Sequence, residues 1–72
     1  MTSILLVEDD AAIAEPLCYA LKRETWTVEW CATAQLALDF LANNGVDFMI
    51  LDVGLPDMDG FELCRQIRRS NN

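Results

Sequence analysis

Two uninterrupted runs of apolar residues dominate the pattern along this chain. Residues 4–7 (Ile-Leu-Leu-Val) lead into acidic residues, and residues 48–51 (Phe-Met-Ile-Leu) lead into Asp52. Short runs bounded by turn residues are typical of parallel strands that are buried on both faces, so we predict strands at 4–7 and 48–52. Residues 26–30 alternate apolar and polar positions, which predicts an edge strand with one covered face.

Helical patterns separate and follow these strands. Asp10 is expected to cap the first helix and Thr33 the second, while Asn44 and Gly45 should end the second. Pro16 removes a helical hydrogen bond, so it is expected to kink the first helix or delay its start. The side chains expected to be buried are Ile13, Leu17, Cys18, Ala20 and Leu21 in the first helix, Leu36, Ala37, Phe40 and Leu41 in the second, and Phe61, Leu63, Cys64 and Ile67 in the third.

The resulting order, β-α-β-α-β-α, predicts an α/β fold with a parallel sheet and right-handed crossovers. The two continuous apolar strands belong inside the sheet and the alternating strand at its edge, which gives the strand order 2-1-3. In that order the carboxyl ends of strands one and three lie side by side, where open α/β sheets bind ligands. We therefore expect Glu8, Asp9 and Asp52 to meet there.

Composition and charge narrow the possible functions. The 72 residues are 53% hydrophobic with a net charge of −7, which predicts one small folded domain or part of one, with no nucleic-acid or membrane contact of its own. Three cysteines without C-x-x-C spacing, and no histidine, argue against a disulfide framework or a zinc site and favour reduced thiols. No signal peptide and no apolar run long enough to span a bilayer is visible, so we expect a cytoplasmic protein.

Three clustered carboxylates would repel one another unless protons or a cation were present. An oxygen-only cluster selects Mg²⁺, Mn²⁺ or Ca²⁺ over zinc, and Mg²⁺ is typical where a phosphoryl group is also coordinated. An aspartate can itself accept a phosphoryl group. These residues alone do not show which aspartate would do so, and a solvated acidic loop remains the alternative.

The segments 5–10 (Leu-Leu-Val-Glu-Asp-Asp) and 50–60 (Ile-Leu-Asp-Val-Gly-Leu-Pro-Asp-Met-Asp-Gly) together resemble the receiver domain of two-component response regulators. The resemblance implies a flavodoxin-like (CheY-like) doubly wound fold in which Asp52 accepts phosphate from a sensor histidine kinase. It also implies a Mg²⁺ ion bound by Asp9, by Glu8 largely through water, by Asp52, and by the carbonyl of Gly54. Residues 61–65 resemble the OmpR-like winged-helix regulators, which implies a role in transcription.

The chain also departs from the receiver pattern. A complete receiver has two further strand–helix units, which carry a Ser or Thr and a Lys that contact the phosphoryl group, and an output domain would contact DNA. Residues 1–72 are therefore expected to be the amino-terminal part of a receiver. Thr25 stands where a Gly would close the first helix. Without its neighbour, strand three would offer an open edge, so a homodimer or domain-swapped oligomer is expected.

Two rival functions remain open at this point. The segment 57–60 (Asp-Met-Asp-Gly) has the form used by haloacid-dehalogenase-type phosphatases, with Asp57 as the nucleophile, although Asp52 already occupies the strand end. A truncated chain that cannot be phosphorylated could instead serve as an interaction module. We do not expect an enzyme. Trp26 and Trp30 are interpreted as sheet packing rather than a binding stripe.

Overall fold

The computed structural model describes residues 1–71. The elements are β1 (Ser3–Val7), α1 (Ala11–Lys22), β2 (Thr27–Cys31), α2 (Ala34–Leu41), β3 (Phe48–Leu51) and α3 (Gly60–Asn71). The predicted order of strands and helices is confirmed. β2 begins one residue later than expected, and β3 ends at Leu51, so that Asp52 is the first residue beyond the strand.

The three strands form one parallel sheet in the order β2-β1-β3, as predicted. Ile4 of β1 lies opposite Val28 of β2 and Phe48 of β3, and the pairing continues to the carboxyl end, where Val7 lies opposite Cys31 and Leu51. Residues 4–7 of β1 are all buried, because this strand has a neighbour on each side and packing on each face. Among residues 1–71, β1 is the only strand that has a neighbouring strand on both sides.

The expectation that β3 is buried on both faces is wrong. Phe48 is 65% exposed and Ile50 is also exposed, whereas Met49 and Leu51 are half-buried. Successive side chains of a strand point to opposite faces, so one face of β3 is covered and the other is open. The covered face carries the main hydrophobic cluster, in which Leu5 and Val7 of β1 pack with α2, α3 and the loop residue Leu55.

The inward side of each helix follows the spacing i, i+3, i+4, i+7. These buried or half-buried positions are Ala14, Leu17, Cys18 and Leu21 in α1, Ala34, Ala37, Leu38 and Leu41 in α2, and Gly60, Leu63, Cys64 and Ile67 in α3. The expectation that Ile13, Leu36 and Phe61 are buried is wrong, since each is exposed and lies one position outside this stripe. Ala20, expected to be buried, is exposed for the same reason. Several of the inward positions are occupied by small residues, namely Ala14, Ala34, Ala37 and Gly60.

The predicted helix starts are confirmed. Asp10 accepts a hydrogen bond from the backbone N–H of Ala12 over 2.9 Å, and Thr33 accepts one from Leu36 over 3.1 Å. α1 begins at Ala11 despite Pro16, which lies inside the helix and leaves the carbonyl of Ala12 without its usual donor. α2 ends at Leu41, before Asn44 and Gly45 are reached.

The end of α1 contains the one non-glycine residue of positive φ in residues 1–71. Thr25 has a φ of 64°, and its backbone N–H donates to the carbonyl of Lys22 over 3.0 Å. This left-handed conformation closes many helices and is most easily adopted by glycine. The position where the resemblance expects Gly is therefore a genuine left-handed turn that is occupied by a β-branched residue.

Two further sequence expectations concern the cysteines and the absence of a membrane-spanning segment. Cys18, Cys31 and Cys64 are all free, and Cys31 is buried. Burial, with a smaller effect of Glu29, raises the pKa of the Cys31 thiol. Among the helices of residues 1–71, none has the length and apolar character that crossing a bilayer would require.

Candidate metal and phosphoryl-acceptor site

Neighbouring strand ends bring the acidic residues together. The backbone N–H of Asp52 donates to the carbonyl of Val7 over 3.0 Å, which continues the pairing of β1 and β3 past the last strand residue. Glu8 and Asp9 follow Val7 directly. One carboxylate oxygen from each of Glu8, Asp9 and Asp52 lies within 4.8 Å of the others. The parallel register thus places three acids around one point at the carboxyl edge of the sheet.

Glu8 is the most enclosed member of this cluster, with 9% of its surface exposed. Its Oε2 accepts a hydrogen bond from the backbone N–H of Asp10 over 3.1 Å, which orients the carboxylate. Its backbone is held by β2, because its N–H donates to the carbonyl of Cys31 over 3.1 Å and its carbonyl accepts the indole N–H of Trp30 over 2.7 Å. The carboxylate of Glu8 is therefore oriented by Asp10, and its backbone is held by β2.

Asp9 and Asp52 differ in their surroundings. Asp9 is exposed, while Asp52 is half-buried and its Oδ1 accepts the backbone N–H of Gly54 over 3.3 Å. Gly54 itself is exposed and forms an isolated antiparallel bridge with Asp59, which closes the loop from 53 to 59. Gly54 is thus held beside the Asp52 carboxylate.

The donor set of the cluster fits a hard divalent cation. Within residues 1–71 the one side-chain salt bridge joins Arg65 and Glu62 on α3, so no Lys or Arg neutralises the cluster. Lys22 lies in the last turn of α1, the end of that helix away from Asp10 and the acidic residues. Three carboxylates with only oxygen donors and no paired cation match the preferences of Mg²⁺.

Sequence reasoning missed the contacts of two residues around this site. The sequence predicts that Trp30 packs on the sheet, and in addition its indole N–H donates to the backbone carbonyl of Glu8. The sequence offers Asp57 only as a candidate phosphatase nucleophile, whereas its two oxygens accept the backbone N–H groups of Ala34 and Gln35, each over 2.9 Å. These hydrogen bonds lower the pKa of the Asp57 carboxyl. No local pattern could have revealed either contact, because the partners lie more than twenty residues apart.

Comparison with known proteins places this geometry in a family. Residues 4–72 match the response regulator receiver domain. The transcriptional regulatory protein CreB of Escherichia coli is 48% identical over 65 residues, which cover 90% of this chain and 28% of CreB. The chain therefore spans less than a third of this curated relative.

Solved structures agree with this assignment. The non-phosphorylated HemR receiver domain of Leptospira biflexa superposes with a TM-score of 0.89 at 38% identity, covering 96% of this chain and 56% of that chain. The response regulator TrrA of Thermotoga maritima, solved in complex with Mg²⁺-BeF, superposes with a TM-score of 0.91 at 30% identity, covering 97% and 61%. TrrA has also been solved with the histidine kinase ThkA. With almost its full length matched and the same fold, this chain belongs to the response regulator receiver domain family.

Proposed function

We propose that Asp52 is the phosphoryl acceptor of a two-component response regulator and that a sensor histidine kinase is the donor. The observation that carries this proposal is the half-buried Asp52 carboxylate, which stands at the strand end within 4.8 Å of two further acids. Its Oδ1 accepts the backbone N–H of Gly54 over 3.3 Å, and a carboxylate oxygen of Asp52 is the atom offered to the incoming phosphorus. The N–P bond of the phosphohistidine breaks as the O–P bond to Asp52 forms.

In this proposal Asp9 and Asp52 bind Mg²⁺ directly, Glu8 binds it largely through water, and the carbonyl of Gly54 completes the protein ligands. The ion would neutralise the charge that develops as the phosphoryl group passes between donor and acceptor. The contribution of the chain is positional: Glu8 is fixed by Asp10, Cys31 and Trp30, and Asp52 is fixed by Val7 and Gly54. In this proposal the chain is the phosphoryl acceptor and is not classed as an enzyme.

The proposal is tested first by metal binding. Asp9→Asn should weaken the Mg²⁺ affinity measured by calorimetry or NMR titration, because it removes one direct ligand and one charge. Asp39→Asn is the matched control, since it makes the same change on α2 and away from the cluster. If Asp9→Asn and Asp39→Asn bind Mg²⁺ equally well, the metal assignment is wrong.

Phosphorylation is the second test. A longer protein that contains this receiver should incorporate phosphate at Asp52 from a phosphohistidine kinase or a small phosphodonor, and Asp52→Asn should abolish the label. Residues 1–72 alone should be labelled poorly, because among residues 1–71 no Lys pairs with the acidic cluster, and Lys22 lies in the last turn of α1. Efficient labelling of residues 1–72 would show that such a Lys is dispensable. Labelling that depends on Asp57 rather than Asp52 would instead favour the phosphatase alternative.

Two proposals extend to the longer protein. Residues 1–72 correspond to the amino-terminal part of a receiver, which is supported by their covering 56% and 61% of the HemR and TrrA chains. The whole protein regulates transcription and contacts DNA through another segment, which is supported by the similarity to CreB and by the acidic charge of this segment. A cytoplasmic location fits both proposals.

As an isolated chain, residues 1–72 are proposed to form a homodimer, or an oligomer by exchange of elements, through the outer edge of β3. Within residues 1–71, β3 has a strand partner only on the β1 side, and Phe48 and Ile50 are exposed beside the free edge. An unpaired apolar edge is a template for another strand. A second copy of β3 supplies one with two-fold symmetry.

Sedimentation at micromolar concentration tests this assembly. The wild-type chain should sediment as a dimer or larger species, and Ile50→Lys should shift it to monomer, because a charged side chain at an edge disfavours pairing. Tyr19→Lys, at an exposed position of α1, is the control that should leave the assembly unchanged. A cooperatively folded wild-type monomer would contradict the proposal.

A further inference from the structure

The loop between β3 and α3 carries Gly54, so the position of this loop decides where Gly54 lies relative to Asp52. Three contacts of the backbone and core hold it: the Gly54–Asp59 bridge, the hydrogen bond from the N–H of Gly60 to the carbonyl of Val53 over 2.9 Å, and the buried side chain of Leu55. None of these three contacts reaches the neighbouring β2–α2 connection by a hydrogen bond. The side chain of Asp57, by contrast, forms hydrogen bonds with the start of α2.

Asp57 joins this loop to the start of α2. Its Oδ1 accepts the N–H of Ala34 and its Oδ2 accepts the N–H of Gln35, each over 2.9 Å. Ala34 and Gln35 are the first two residues of α2. The first four N–H groups of a helix have no partner within the helix, and negative charge is favourable at this end. Thr33 satisfies the N–H of Leu36 over 3.1 Å. The start of α2 is thus capped locally by Thr33 and from the distant loop by Asp57.

We propose that Asp57 is a positioning residue for the acceptor site, because its bidentate contact with the start of α2 holds the loop in the place where Gly54 meets Asp52. This inference rests on the proposed function of Asp52. The bond that Gly54 makes to Asp52 Oδ1 is long, 3.3 Å, so it cannot by itself hold the loop in place. Asp57 is three residues beyond Gly54 and exposed, so its carboxylate acts through the loop backbone and not on the reacting atoms.

The test compares two variants of Asp57 with two control variants. Asp57→Ala removes both acceptors, and Asp57→Asn keeps one oxygen and loses the charge. Thr33→Ala weakens the cap of α2 but leaves the loop contact intact. Asp47→Asn makes the same chemical change as Asp57→Asn on an aspartate that also accepts a backbone N–H, that of Ser3 over 2.8 Å, before β3 rather than after it.

Two readouts are taken: the amide resonance of Gly54 without metal, and the Mg²⁺ affinity by NMR titration. Asp57→Ala should shift the Gly54 resonance and weaken Mg²⁺ binding about tenfold, which is the lower range for loss of a residue that orients a metal ligand. Asp57→Asn should fall between Asp57→Ala and wild type. Thr33→Ala and Asp47→Asn should leave both readouts near the wild-type values.

The outcomes separate this inference from the proposed function. If Asp57→Ala moves neither readout more than Asp47→Asn does, the inference is overturned. It is also overturned if Thr33→Ala gives the same losses, because Asp57 would then matter only for the stability of α2. If the wild-type chain binds no Mg²⁺, the proposed function fails while the Gly54 resonance still decides the positioning role. If Asp57→Ala does not fold, Asp57→Asn decides by the same comparison.

Discussion

Gly60 lies against the backbone of Asp52 so closely that a Cβ atom at position 60 would be 2.6 Å from the Asp52 carbonyl oxygen. Gly60 is the first residue of α3, and its N–H donates to the carbonyl of Val53 over 2.9 Å. Its backbone dihedral φ is not positive, so space rather than backbone conformation requires a glycine here. The start of α3 can therefore approach Asp52 this closely only through a residue without a side chain.

Gly60→Ala should consequently destabilise the fold by about 1–3 kcal/mol, the usual cost of overpacking, because the added Cβ would meet backbone atoms of Asp52 and Val53, which cannot rotate away. It should also displace the Asp52 amide resonance. Gly45→Ala is the matched control, since nothing lies within 4 Å of a Cβ at that position. Urea unfolding measures both variants, and equal stability of the two would contradict the close approach.

Thr25→Gly should stabilise the chain by about 1 kcal/mol, because a residue with a Cβ pays roughly this amount in the left-handed region. The structural basis is the φ of 64° at Thr25. Glu24→Gly is the control: its φ is not positive, so glycine there should cost up to about 1 kcal/mol through its greater freedom in the unfolded chain. Thermal or urea unfolding decides, and a loss of stability in Thr25→Gly would contradict the prediction.

Trp30 fluorescence should respond to Mg²⁺, because the indole N–H is bonded to the backbone of Glu8 over 2.7 Å. Trp30→Phe should abolish the response and cost about 1 kcal/mol of stability, since the Glu8 carbonyl loses this donor. Trp26→Phe, outside the strands, should retain the response. A response that survives in Trp30→Phe and disappears in Trp26→Phe would show that Trp26 reports Mg²⁺ binding, which would contradict the prediction.

Acid should weaken the contribution of Asp57 to stability. The backbone N–H groups of Ala34 and Gln35 lower the pKa of its carboxyl in the folded state. A group with a lowered folded-state pKa stabilises the fold above its unfolded pKa and loses that effect as the pH falls through the folded value. The stability difference between wild type and Asp57→Asn should therefore shrink from neutral to strongly acid pH in urea unfolding. A difference that is constant with pH would show that the charge of Asp57 is irrelevant.

Helix faces show where pattern reading succeeded and where it did not. The 3.6-residue period correctly located three helices, and Leu17, Leu41 and Leu63 lie on their inward sides. Leu36 and Phe61 are predicted to lie on those sides, yet both are exposed. A helix packs closely against a sheet through whichever residues lie on the contacting stripe, and here several of them are alanine or glycine.

The sequence by itself determined the order of elements, the strand order and the convergence of Glu8, Asp9 and Asp52, because local periodicity and the connection rules of parallel sheets suffice for these. The roles of these acids stay predictions. Only the tertiary structure decided that Trp30 holds Glu8, that Asp57 holds the start of α2 and that Gly60 touches Asp52. The first two contacts join residues 22 and 23 positions apart, and all three depend on how loops pack at the sheet edge, which no local pattern encodes.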